Sequence, residues 1–595
     1  MCGICGELRF DNLRPERDTI AGMMARLERR GPDAAGQYAH GPVALGHRRL
    51  SIIDLSERSN QPLVDEELGL VLVFNGTIYN YPELREQLTS RGYHFFTGGD
   101  SEVILKAYAE WGEDCPQHLH GMFAFAVWDT RRQSLFMARD RFGIKPLYYS
   151  LTRQYLRFAS TSQALRAAGG LDTDIDPVAL HHHLTLHAVV PAPRTLLRGL
   201  RKLPPAHSMM IHADGSNTVK PYWQLRPVVP ASGMSEWEWI EALHEALIRS
   251  VERRRTIADV PVGILLSGGL DSSLLVALLA EAGAGDLHTF SVGFEDQPED
   301  RGHEFEFSDM VAELYATKRQ RFSIPNREVL ARLPEAVDNM AEPMVGQDAV
   351  AFYLLGERVS KAVKVVQSGQ GADEVFAGYF WYPRMHAASG SDIERFRDFY
   401  FDRPHAELLE NIDPRHHGPD YTSPRVAHGL AQSGADRFLN RVLAFDVTTL
   451  IVDDPVKRVD NMTMAWGLEA RVPFLDHELV ELALGVPPEI KLRSGGKHIL
   501  KSIARGLLPD MVIDRPKGYF PVPALKFVRG EVLDFMRGIL ESGACRQRGL
   551  LNRNMVQKLL ASPDQHHTPI LGSKLWHLAL LEFWLQRNVD TIPPS

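Results

Sequence analysis

Short apolar runs broken by turn residues dominate the first two hundred positions. The stretches VALGHRRLSIID, LGLVLVFNGTIYN and MFAFAVWDTRRQSLFMARDRFG have the length and the bounding turn residues of β-strands. Two segments instead carry apolar residues at helical spacing, YPELREQLTSRG and DSEVILKAYAEWG, and the second of them ends at a glycine. The pattern therefore predicts a strand-rich first half with few helices.

A stretch rich in Pro, Gly and Ser, residues 200–236, separates this half from a second one with a different pattern. Beyond it, apolar strands alternate with helices, as in PVGILLS followed by GGLDSSLLVALLAEAG and AVKVVQS followed by GQGADEVFAGY. Such alternation predicts parallel βαβ units, and the remainder is mainly helical in pattern. We predict a first domain over residues 2–210, a linker over 211–235 and a second domain over 236–595.

Composition and charge exclude several classes of protein. The chain has 595 residues and a net charge of −9 without a long basic run, so no nucleic-acid partner is expected. Its most apolar stretch contains Asp271 and a Gly pair, which argues against a membrane span. Four cysteines are too few for a disulfide-built scaffold of this size and suit a reducing compartment. Glu7 and Arg9 interrupt any apolar signal segment, so we expect a cytoplasmic protein.

A run of three histidines, His181–His183, raises the question of a metal site. No cysteine or carboxylate set nearby in the sequence completes such a site, and no Cys/His cluster has zinc-finger spacing. We therefore interpret the run as part of a partly exposed helix.

The segment GILLSGGLDSS, residues 263–273, has the order of a phosphate-binding loop: a buried strand, a Gly turn and a helix start. The adjacent Gly268 and Gly269 allow backbone N–H groups to approach an anion, and the helix N-terminus adds its dipole. Asp271 is out of place beside an anion unless a cation bridges them, so Mg²⁺ is the expected partner. The Lys-Ser/Thr pair of a Walker loop is absent.

This loop resembles the pyrophosphate-binding loop of the ATP pyrophosphatases, which cleave ATP between the α and β phosphates. The segments VVQSGQGADEVFAGY, RVDNMTMAWGLEARVPFLDHELVELA and RPKGYFPVP match the asparagine synthetases, and together the motifs span residues 263–523. The resemblance implies an α/β ATP-pyrophosphatase (adenine nucleotide alpha hydrolase-like) domain with a helical C-terminal part. It implies Mg²⁺ on Asp271 and Asp373, and an ATP site formed by Leu266, Ser267, Gly268, Gly269, Asp271, Ser272, Val292, Ser368, Gly369, Asp373 and Lys517.

Cys2 raises the question of a nucleophile at the N-terminus. Once Met1 is removed, Cys2 carries both a thiol and a free α-amine, an arrangement that can activate a nucleophile. The unperturbed pKa of an α-amine is about 7.7–8.0, so a useful fraction is neutral base near neutral pH and can take the thiol proton. Cys5 cannot become N-terminal and is interpreted as a packed strand thiol.

Four further motifs accompany Cys2: RRGPD, RRLSIID, FNGTIYN and GGDSEVI. Together they resemble the glutaminase domain of class II amidotransferases, which implies the α+β fold of the N-terminal nucleophile hydrolases, a four-layer αββα sandwich. The Cys2 thiolate would then attack the side-chain amide of L-glutamine. Asn75 and Gly76 would bind the oxyanion, each donor contributing about 3 kcal/mol. Arg49 would pair with the glutamine α-carboxylate, and Asp100 would receive its α-ammonium.

The two resemblances together identify the chain as a member of the glutamine-hydrolysing asparagine synthetase family. This implies an ATP-dependent amide synthetase in which glutamine releases ammonia at the first site. ATP and a small carboxylate would form an acyl-adenylate at the second site, and ammonia would convert it to an amide, AMP and pyrophosphate. An enclosed path for ammonia between the sites is expected. The oligomeric state stays open, with a homodimer as one option.

The acceptor carboxylate depends on a position at which this chain departs from the family pattern. Asparagine synthetases amidate aspartate and usually carry Glu where this chain has Gln370. Glutamine carries no charge and cannot act as a base. The whole pattern is most similar to the N-acetylglutaminylglutamine amidotransferases, which amidate a capped dipeptide to make an osmoprotectant. We therefore expect N-acetylglutaminylglutamine as the acceptor, with aspartate as the alternative.

Other classes share parts of these motifs. A β-lactam synthetase-like enzyme adenylates without glutamine and typically lacks the N-terminal nucleophile, so the Cys2 motifs argue against it. A non-catalytic regulator would not need an intact phosphate loop with Asp271 and Asp373. A self-processing N-terminal nucleophile amidohydrolase would not need residues 263–523.

Overall fold

The computed structural model describes residues 2–230, 233–296, 302–515, 522, 525 and 528–590. Strands and a few helices alternate up to Pro221. The helices are α1 (Arg17–Arg26), α2 (Tyr81–Ser90), α3 (Asp100–Trp111), α4 (Cys115–His118), α5 (Ser162–Ala167) and α6 (Pro177–Thr185). The strands are β1 (Gly3–Arg9), β2 (Ala34–His40), β3 (Val43–Arg49), β4 (Leu63–Asp65), β5 (Leu70–Ile78), β6 (Gly121–Asp129), β7 (Ser134–Arg139), β8 (Tyr148–Leu151), β9 (Tyr155–Ala159), β10 (Arg201–Lys202), β11 (His207–His212) and β12 (Asn217–Pro221).

These strands form two antiparallel six-stranded sheets, with orders β10-β8-β9-β1-β3-β2 and β12-β11-β7-β6-β5-β4. A core of side chains from both sheets lies between them. Helices α1 and α5 pack against the first sheet, and α3, which pairs with α2, packs against the second. The first half is therefore an αββα sandwich, which confirms the fold predicted for it.

Strand β6 shows why this half is apolar on both faces of its strands. Phe123 and Phe125 pack toward the layer of α2 and α3, whereas Ala124 and Trp128 pack between the sheets. Successive side chains of a strand point to opposite faces. A strand inside a four-layer sandwich therefore needs apolar residues at almost every position.

The last strand of this half lies within residues 211–235, where the sequence predicts a linker. Strand β12 pairs with β11, with Val219 opposite Met209, and so belongs to the second sheet. Helix Glu236–Thr256 begins just beyond that stretch, and Ser235 caps it in a capping box with Glu238. The predicted linker therefore contains one strand of the first sandwich.

The second half is a parallel sheet surrounded by helices. Its strands are β13 (Val262–Leu265), β14 (His288–Phe294), β15 (Lys318–Ile324), β16 (Val365–Gln367) and β17 (Glu469–Arg471). In the part of the chain that the structure describes, no helix is long and apolar enough to span a membrane. The helices are α7 (Glu236–Thr256), α8 (Leu270–Glu281), α9 (Phe305–Leu314), α10 (Asn326–Asp338), α11 (Asp348–Val359), α12 (Ala372–Phe376), α13 (Trp381–Ala387), α14 (Asp392–Tyr400), α15 (His405–Asn411), α16 (Thr422–Ala431), α17 (Phe438–Phe445), α18 (Ile451–Asp453), α19 (Pro455–Met464), α20 (His477–Gly485), α21 (Pro488–Lys491), α22 (His498–Ala504), α23 (Asp510–Ile513), α24 (Gly530–Leu540), α25 (Gly543–Arg548), α26 (Arg553–Ala561) and α27 (Lys574–Leu585).

The strand order of this sheet is β15-β14-β13-β16-β17, and every pairing is parallel. The chain moves outward from β13 to β14 and β15, and then returns to place β16 on the other side of β13. This reversal is a topological switch point, where ligands bind beyond the carboxyl ends of the strands in open α/β sheets. The fold predicted for the second half, α/β with a helical C-terminal part, is confirmed.

The three consecutive histidines are helical but buried, so the predicted partial exposure is wrong. His181, His182 and His183 lie on α6 and are 3–4 % exposed. Helix α6 contacts α15 and α16 of the second half. The Nδ1 atom of His181, for example, lies 2.6 Å from Oγ1 of Thr422, 241 positions further along the chain. Contacts with residues so far along the chain cannot be predicted from the local sequence.

Buried charges join the two halves. Asp460 on α19 accepts hydrogen bonds from Arg30 at 3.0 Å and from Lys145 at 3.4 Å, and all three side chains are at most 5 % exposed. Lys202 likewise lies 2.9 Å from Glu342. Ions taken out of water need close partners of opposite charge. These pairs therefore hold the two halves in one relative position.

We expect Asp460→Ala to destabilise the protein by about 3–5 kcal/mol, because it leaves two buried cations without their counter-charge. Glu489→Ala is the matched control, since it removes one partner of an exposed ion pair with Arg437 and should cost at most about 1 kcal/mol. Denaturant unfolding, followed by circular dichroism, measures both effects. Equal stability of the two variants would show that the buried network contributes little.

Candidate active sites

Cys2 immediately precedes β1 and is 7 % exposed. Its backbone nitrogen donates to Oδ1 of Asn75 at 3.0 Å, and its carbonyl oxygen accepts a hydrogen bond from Nε of Arg30 at 3.4 Å. Burial raises the pKa of the thiol, while the amino terminus, a backbone hydrogen bond from Leu50 and the charge of Arg49 act in the opposite direction. Burial is the largest of these effects, so the neutral thiol is the favoured form and its deprotonation needs a base beside it.

A pocket opens beside Cys2 and encloses about 370 Å³, part of which is open to solvent. The pocket wall includes Cys2 together with three more of the residues predicted for the glutamine site, namely Arg49, Gly76 and Asp100. Residues from β3, β5 and α3 thus meet at one end of the sandwich, although they lie far apart in sequence.

Asn75 on β5 is fully buried. The two polar atoms of its side chain differ in their hydrogen bonding. Oδ1 holds the Cys2 nitrogen, whereas Nδ2 has no hydrogen-bond partner among the residues that the structure describes. An unsatisfied buried donor costs about 1–3 kcal/mol. At Gly76, a Cβ would lie 2.1 Å from the carbonyl oxygen of Met122, so only glycine fits. That Asn75 and Gly76 form the donor pair for an oxyanion remains a prediction.

Arg49 has a role that the sequence did not indicate. One terminal nitrogen donates to the Ser56 carbonyl and to Oδ1 of Asn60, both at 2.8 Å, and the other donates to the carbonyls of Ile53 and Asp54. Arg49 therefore fixes the loop over residues 53–60, which forms part of the pocket wall. Pairing with a glutamine carboxylate remains a prediction, and it would require the guanidinium to share or exchange these acceptors.

Asp100 is the first residue of α3 and faces the same pocket. Its Oδ2 accepts a hydrogen bond from the backbone nitrogen of Ile78 at 3.0 Å. Burial raises its pKa to about 6, despite the opposing effect of that hydrogen bond. The carboxyl group is therefore largely ionised at neutral pH, as binding of an α-ammonium requires, and becomes neutral in mild acid.

The second candidate site lies at the switch point of the parallel sheet. After β13 the chain forms the turn Ser267–Gly269 and enters α8, and after β16 it forms the turn Ser368–Gly371 and enters α12. The two turns touch, since a Cβ on Gly369 would lie 3.2 Å from Cβ of Asp271. Gly268 has φ +81°, and a Cβ there would lie 2.7 Å from the backbone nitrogen of Ser308. The loop conformation therefore requires glycine.

Hydrogen bonds hold the first turn in shape. Oγ of Ser272 accepts from the Ser267 backbone nitrogen at 3.2 Å and lies 3.0 Å from Oγ of Ser267. Leu266 is buried beside β14, where its backbone nitrogen donates to the Phe290 carbonyl at 2.8 Å, and Val292 on β14 is half-buried. The predicted ATP-site residues before position 400 thus lie at one edge of the sheet.

A lysine that sequence reasoning missed joins the two carboxylates predicted to hold Mg²⁺. Nζ of Lys497 lies 2.6 Å from Oδ2 of Asp271 and 2.6 Å from Oδ1 of Asp373. Burial opposes its charge, but the two carboxylates outweigh that effect and raise the pKa of Lys497. Two carboxylates side by side at a phosphate loop fit the oxygen ligands that Mg²⁺ takes from proteins. Lys497 places a permanent positive charge beside them.

A second cation that the sequence did not indicate lies next to the first turn. A terminal nitrogen of Arg515 is 3.7 Å from the position of a Cβ on Gly269, and Glu304 holds that nitrogen at 2.7 Å. Lys517, which the sequence predicts for phosphate neutralisation, lies outside the described residues. Lys497 and Arg515 are thus the cations seen at the loops in the part of the chain that the structure describes.

Glu469 links the two sites. Its Oε1 accepts hydrogen bonds from Oγ1 of Thr77 at 3.3 Å and from Nε of Arg471 at 2.6 Å. Thr77 lines the Cys2 pocket, and the Arg471 carbonyl accepts a hydrogen bond from the Ser368 backbone nitrogen at 2.9 Å. Burial raises the pKa of Glu469, but the amino terminus, Arg471 and Lys145 outweigh it and lower the value to about 2. A buried carboxylate therefore stays ionised between the sites.

Comparison with known proteins agrees with this architecture. The model of the asparagine synthase family matches residues 242–586, and that of the glutamine amidotransferase domain matches residues 1–223. The chain belongs to the asparagine synthase family. As a member of that family it is an ATP-dependent, glutamine-using carbon–nitrogen ligase.

Relatives match this family member over almost its entire length. Asparagine synthetase [glutamine-hydrolyzing] 1 of Bacillus subtilis is 32 % identical over 99 % of this chain and 97 % of its own. A putative asparagine synthetase [glutamine-hydrolyzing] of Mycobacterium tuberculosis is 33 % identical over 98 % of this chain and 97 % of its own. Among solved structures, the glutamine phosphoribosylpyrophosphate amidotransferase of B. subtilis is 18 % identical, with a TM-score of 0.28, and covers 47 % of this chain and 64 % of that one.

We expect Asn75→Ala to lower kcat for glutamine hydrolysis by about 10²–10³-fold, the loss seen when one oxyanion donor is removed. Glutamate release from glutamine, without ATP, measures this step. Asn217→Ala changes an exposed asparagine on β12 and should leave the rate unchanged. A folded Asn75→Ala protein with the native rate would remove Asn75 from the oxyanion site.

We expect Gly378→Ala to disrupt the second site alone. A Cβ at this position would lie 2.1 Å from Oδ1 of Asp373 and 2.2 Å from Cε of Lys497, so both must move. ATP–pyrophosphate exchange should fall on the order of 10²-fold, as expected for a misplacement of about 1 Å, while glutamine hydrolysis persists. The control is Gly538→Ala, where no atom lies within 4 Å of the added Cβ. Native exchange in Gly378→Ala would contradict this geometry.

Proposed function

We propose that the Cys2 pocket hydrolyses glutamine with Cys2 as the nucleophile. Removal of Met1 would convert the Cys2 nitrogen, held 3.0 Å from Oδ1 of Asn75, into a free α-amine. That amine takes the thiol proton, directly or through water, and the thiolate attacks the side-chain amide carbon. Nδ2 of Asn75 and the Gly76 N–H stabilise the oxyanion. The amine then returns a proton to the departing ammonia, which leaves a γ-glutamyl thioester on Cys2, and water hydrolyses this thioester to release glutamate and the thiol.

At the second site, we propose that the loops after β13 and β16 bind ATP, and that the acceptor carboxylate attacks its α-phosphorus. Asp271 and Asp373 would hold Mg²⁺, which supplies positive charge to the phosphate oxygens when bound. Lys497, 2.6 Å from both carboxylates, adds a fixed charge near the pyrophosphate leaving group. The products of this step are an acyl-adenylate and pyrophosphate, and ammonia then releases AMP to give the amide.

The observation that carries the proposal is the Glu469 link, which joins a pocket suited to glutamine hydrolysis to the phosphate loops within one chain. A β-lactam synthetase-like enzyme would have no use for the first pocket. A regulator without activity would have no use for Nδ2 of Asn75, a buried donor kept without a partner among the described residues.

A pocket between the two halves supports direct transfer of ammonia. It encloses about 220 Å³, part of which is open to solvent, with Arg139 on one side and Lys457 and Asp460 on the other. Arg30 connects it to the first site, since Arg30 bonds both the Cys2 carbonyl and Asp460. The wall carries two cations, Arg139 and Lys457, and two carboxylates, Asp453 and Asp460, so its charges balance. Such a space needs no further ion and suits neutral ammonia, the nucleophilic form.

For the acceptor, we propose N-acetylglutaminylglutamine, with aspartate as the alternative. An aspartate site must satisfy a buried α-ammonium and α-carboxylate, and unpaired charges there are costly. A capped dipeptide has no free ammonium and needs neutral amide partners. Gln370 in the second turn is neutral, and its Oε1 accepts a hydrogen bond from Oγ of Ser368. It is thus held in place and can present its amide nitrogen as a donor.

We expect Cys2→Ala to abolish amide synthesis from glutamine while synthesis from added ammonium salts persists, because the adenylating site is separate. Cys5→Ala is the matched control: this thiol lies three residues further along the chain, in β1, and burial raises its pKa to about 12. Product formation with each nitrogen source, measured by mass spectrometry, tests both variants. Glutamine-driven synthesis by purified Cys2→Ala would exclude Cys2 as the nucleophile.

We expect a kcat/KM for N-acetylglutaminylglutamine that exceeds that for aspartate by up to about 10⁴-fold, the range reached when a site leaves polar groups of the wrong substrate unmatched. Pyrophosphate and AMP release with each carboxylate measures the ratio. Gln370→Glu should recover little aspartate activity, since one side chain does not build a site for two charges. Pyrophosphate release with aspartate and none with the dipeptide would make the protein an asparagine synthetase.

A further inference from the structure

Three side chains of metal-ligand type meet beyond the end of α6. His187 follows that helix, Asp402 lies between α14 and α15, and His577 is in the first turn of α27. Nδ1 of His187 is 3.3 Å from Oδ2 of Asp402, and Nδ1 of His577 is 3.2 Å from the same oxygen. One ligand atom from each residue lies within 4.8 Å of both others. None of the three has a role in the two sites described above.

One carboxylate oxygen of this buried cluster has no hydrogen bond. The Asp402 side chain is fully buried, His577 is 4 % exposed and His187 is 16 % exposed. Nδ1 of His187 is hydrogen-bonded to Oδ1 of Asp402 at 3.5 Å. Oδ2 of the same carboxylate accepts no hydrogen bond from any residue that the structure describes, although an imidazole nitrogen of His187 and one of His577 lie within 3.3 Å of it.

Donor atoms that are close without being aligned in hydrogen bonds are typical of a metal site. Ligand atoms about 2.0–2.1 Å from a tetrahedral Zn²⁺ are about 3.3 Å apart, and their lone pairs converge on the ion instead of on one another. The distances from Asp402 Oδ2 to the two rings have this spacing. Two imidazoles and one carboxylate are also a ligand set that first-row transition metals take in proteins.

The carboxylate is not already bound by the cation next to it in sequence. Arg403 donates to the carbonyls of Leu184 at 3.3 Å and Lys574 at 2.9 Å. The carboxylate is thus available as a ligand.

We propose that His187, Asp402 and His577 bind one divalent transition-metal ion, with Zn²⁺ as the probe, and that water completes its coordination on the partly exposed side of His187. The ion joins three segments that are distant in sequence, and it closes the end of α6 against the second half. The metal therefore stabilises the arrangement of the two halves and takes no part in either chemical step.

Another histidine cluster of the described residues, the one around His181, provides a matched control. Nε2 of His181 already bonds Nδ1 of His405 at 3.0 Å, and Nδ1 of His181 lies 2.6 Å from Oγ1 of Thr422, so this cluster is satisfied by hydrogen bonds. His405→Ala removes an imidazole from that cluster without touching the proposed ligands. Asp271→Asn removes a carboxylate from the nucleotide loops.

The test is a Zn²⁺ titration of the chelator-treated full-length protein in competition with a chromophoric chelator, without glutamine or ATP. Excess Mg²⁺ is present to occupy carboxylate sites, which prefer that ion. We expect one tightly bound Zn²⁺ per chain in the native protein, in His405→Ala and in Asp271→Asn. His187→Ala and His577→Ala should lower the affinity by at least ~100-fold. Substitution by Co²⁺ should give the visible absorption of a tetrahedral site in the native protein and the two controls, and should not do so in His187→Ala or His577→Ala.

Two further measurements keep the outcome decisive if His577→Ala fails to fold. His187→Ala changes a partly exposed position, and Asp402→Asn keeps the side-chain size, so circular dichroism can verify both before titration. Zn²⁺ should raise the melting temperature of the native protein and leave that of His187→Ala unchanged. No Zn²⁺ on the native protein, or equal binding by His187→Ala and Asp402→Asn, would overturn the proposal. Because no substrate is present, failure here leaves the proposed amide synthesis untouched.

Discussion

Buried charge between the two halves is the constraint on which both candidate sites depend. A carboxylate removed from water remains ionised only while fixed cations and N–H groups surround it. Asp460 therefore keeps Arg30 and Lys145 in place, and Arg30 in turn bonds the carbonyl of Cys2. Glu469 holds Arg471, whose carbonyl supports the backbone of Ser368. Cys2 and the loops after β13 and β16 are therefore positioned by adjoining parts of one interface.

The two candidate sites present different chemical groups. The sandwich end provides a small pocket, an amide donor and backbone N–H groups, which suit attack on a neutral amide. The switch point of the parallel sheet provides carboxylates, Lys497 and Arg515, which suit polyphosphate chemistry. Neither set of groups could perform the reaction of the other, so the ligase activity of the family requires both halves in contact.

Local signals were enough to predict the strands of the first half, the parallel units of the second and the turn with Gly268, since each depends on residues that are neighbours in sequence. The four layers of the first half followed only from the resemblance to the class II glutaminase domain. Lys497 could not be predicted as the partner of Asp271, because 226 positions separate them and a lysine after two glycines has no distinctive spacing. The burial of His181 and the role of Arg49 on its loop were missed for the same physical reason, since both depend on contacts that form only when distant segments pack.

We propose that ammonia passes from Cys2 to the loops after β13 and β16 inside one molecule. Incubation with ATP, acceptor and glutamine labelled with ¹⁵N at its side-chain amide, in the presence of unlabelled ammonium near neutral pH, tests this directly. Mass spectrometry of the amide product should show ¹⁵N at nearly the enrichment of the glutamine supplied, with one AMP formed per amide. A product whose label is diluted to the composition of the ammonium in the medium would contradict a closed transfer between the two sites.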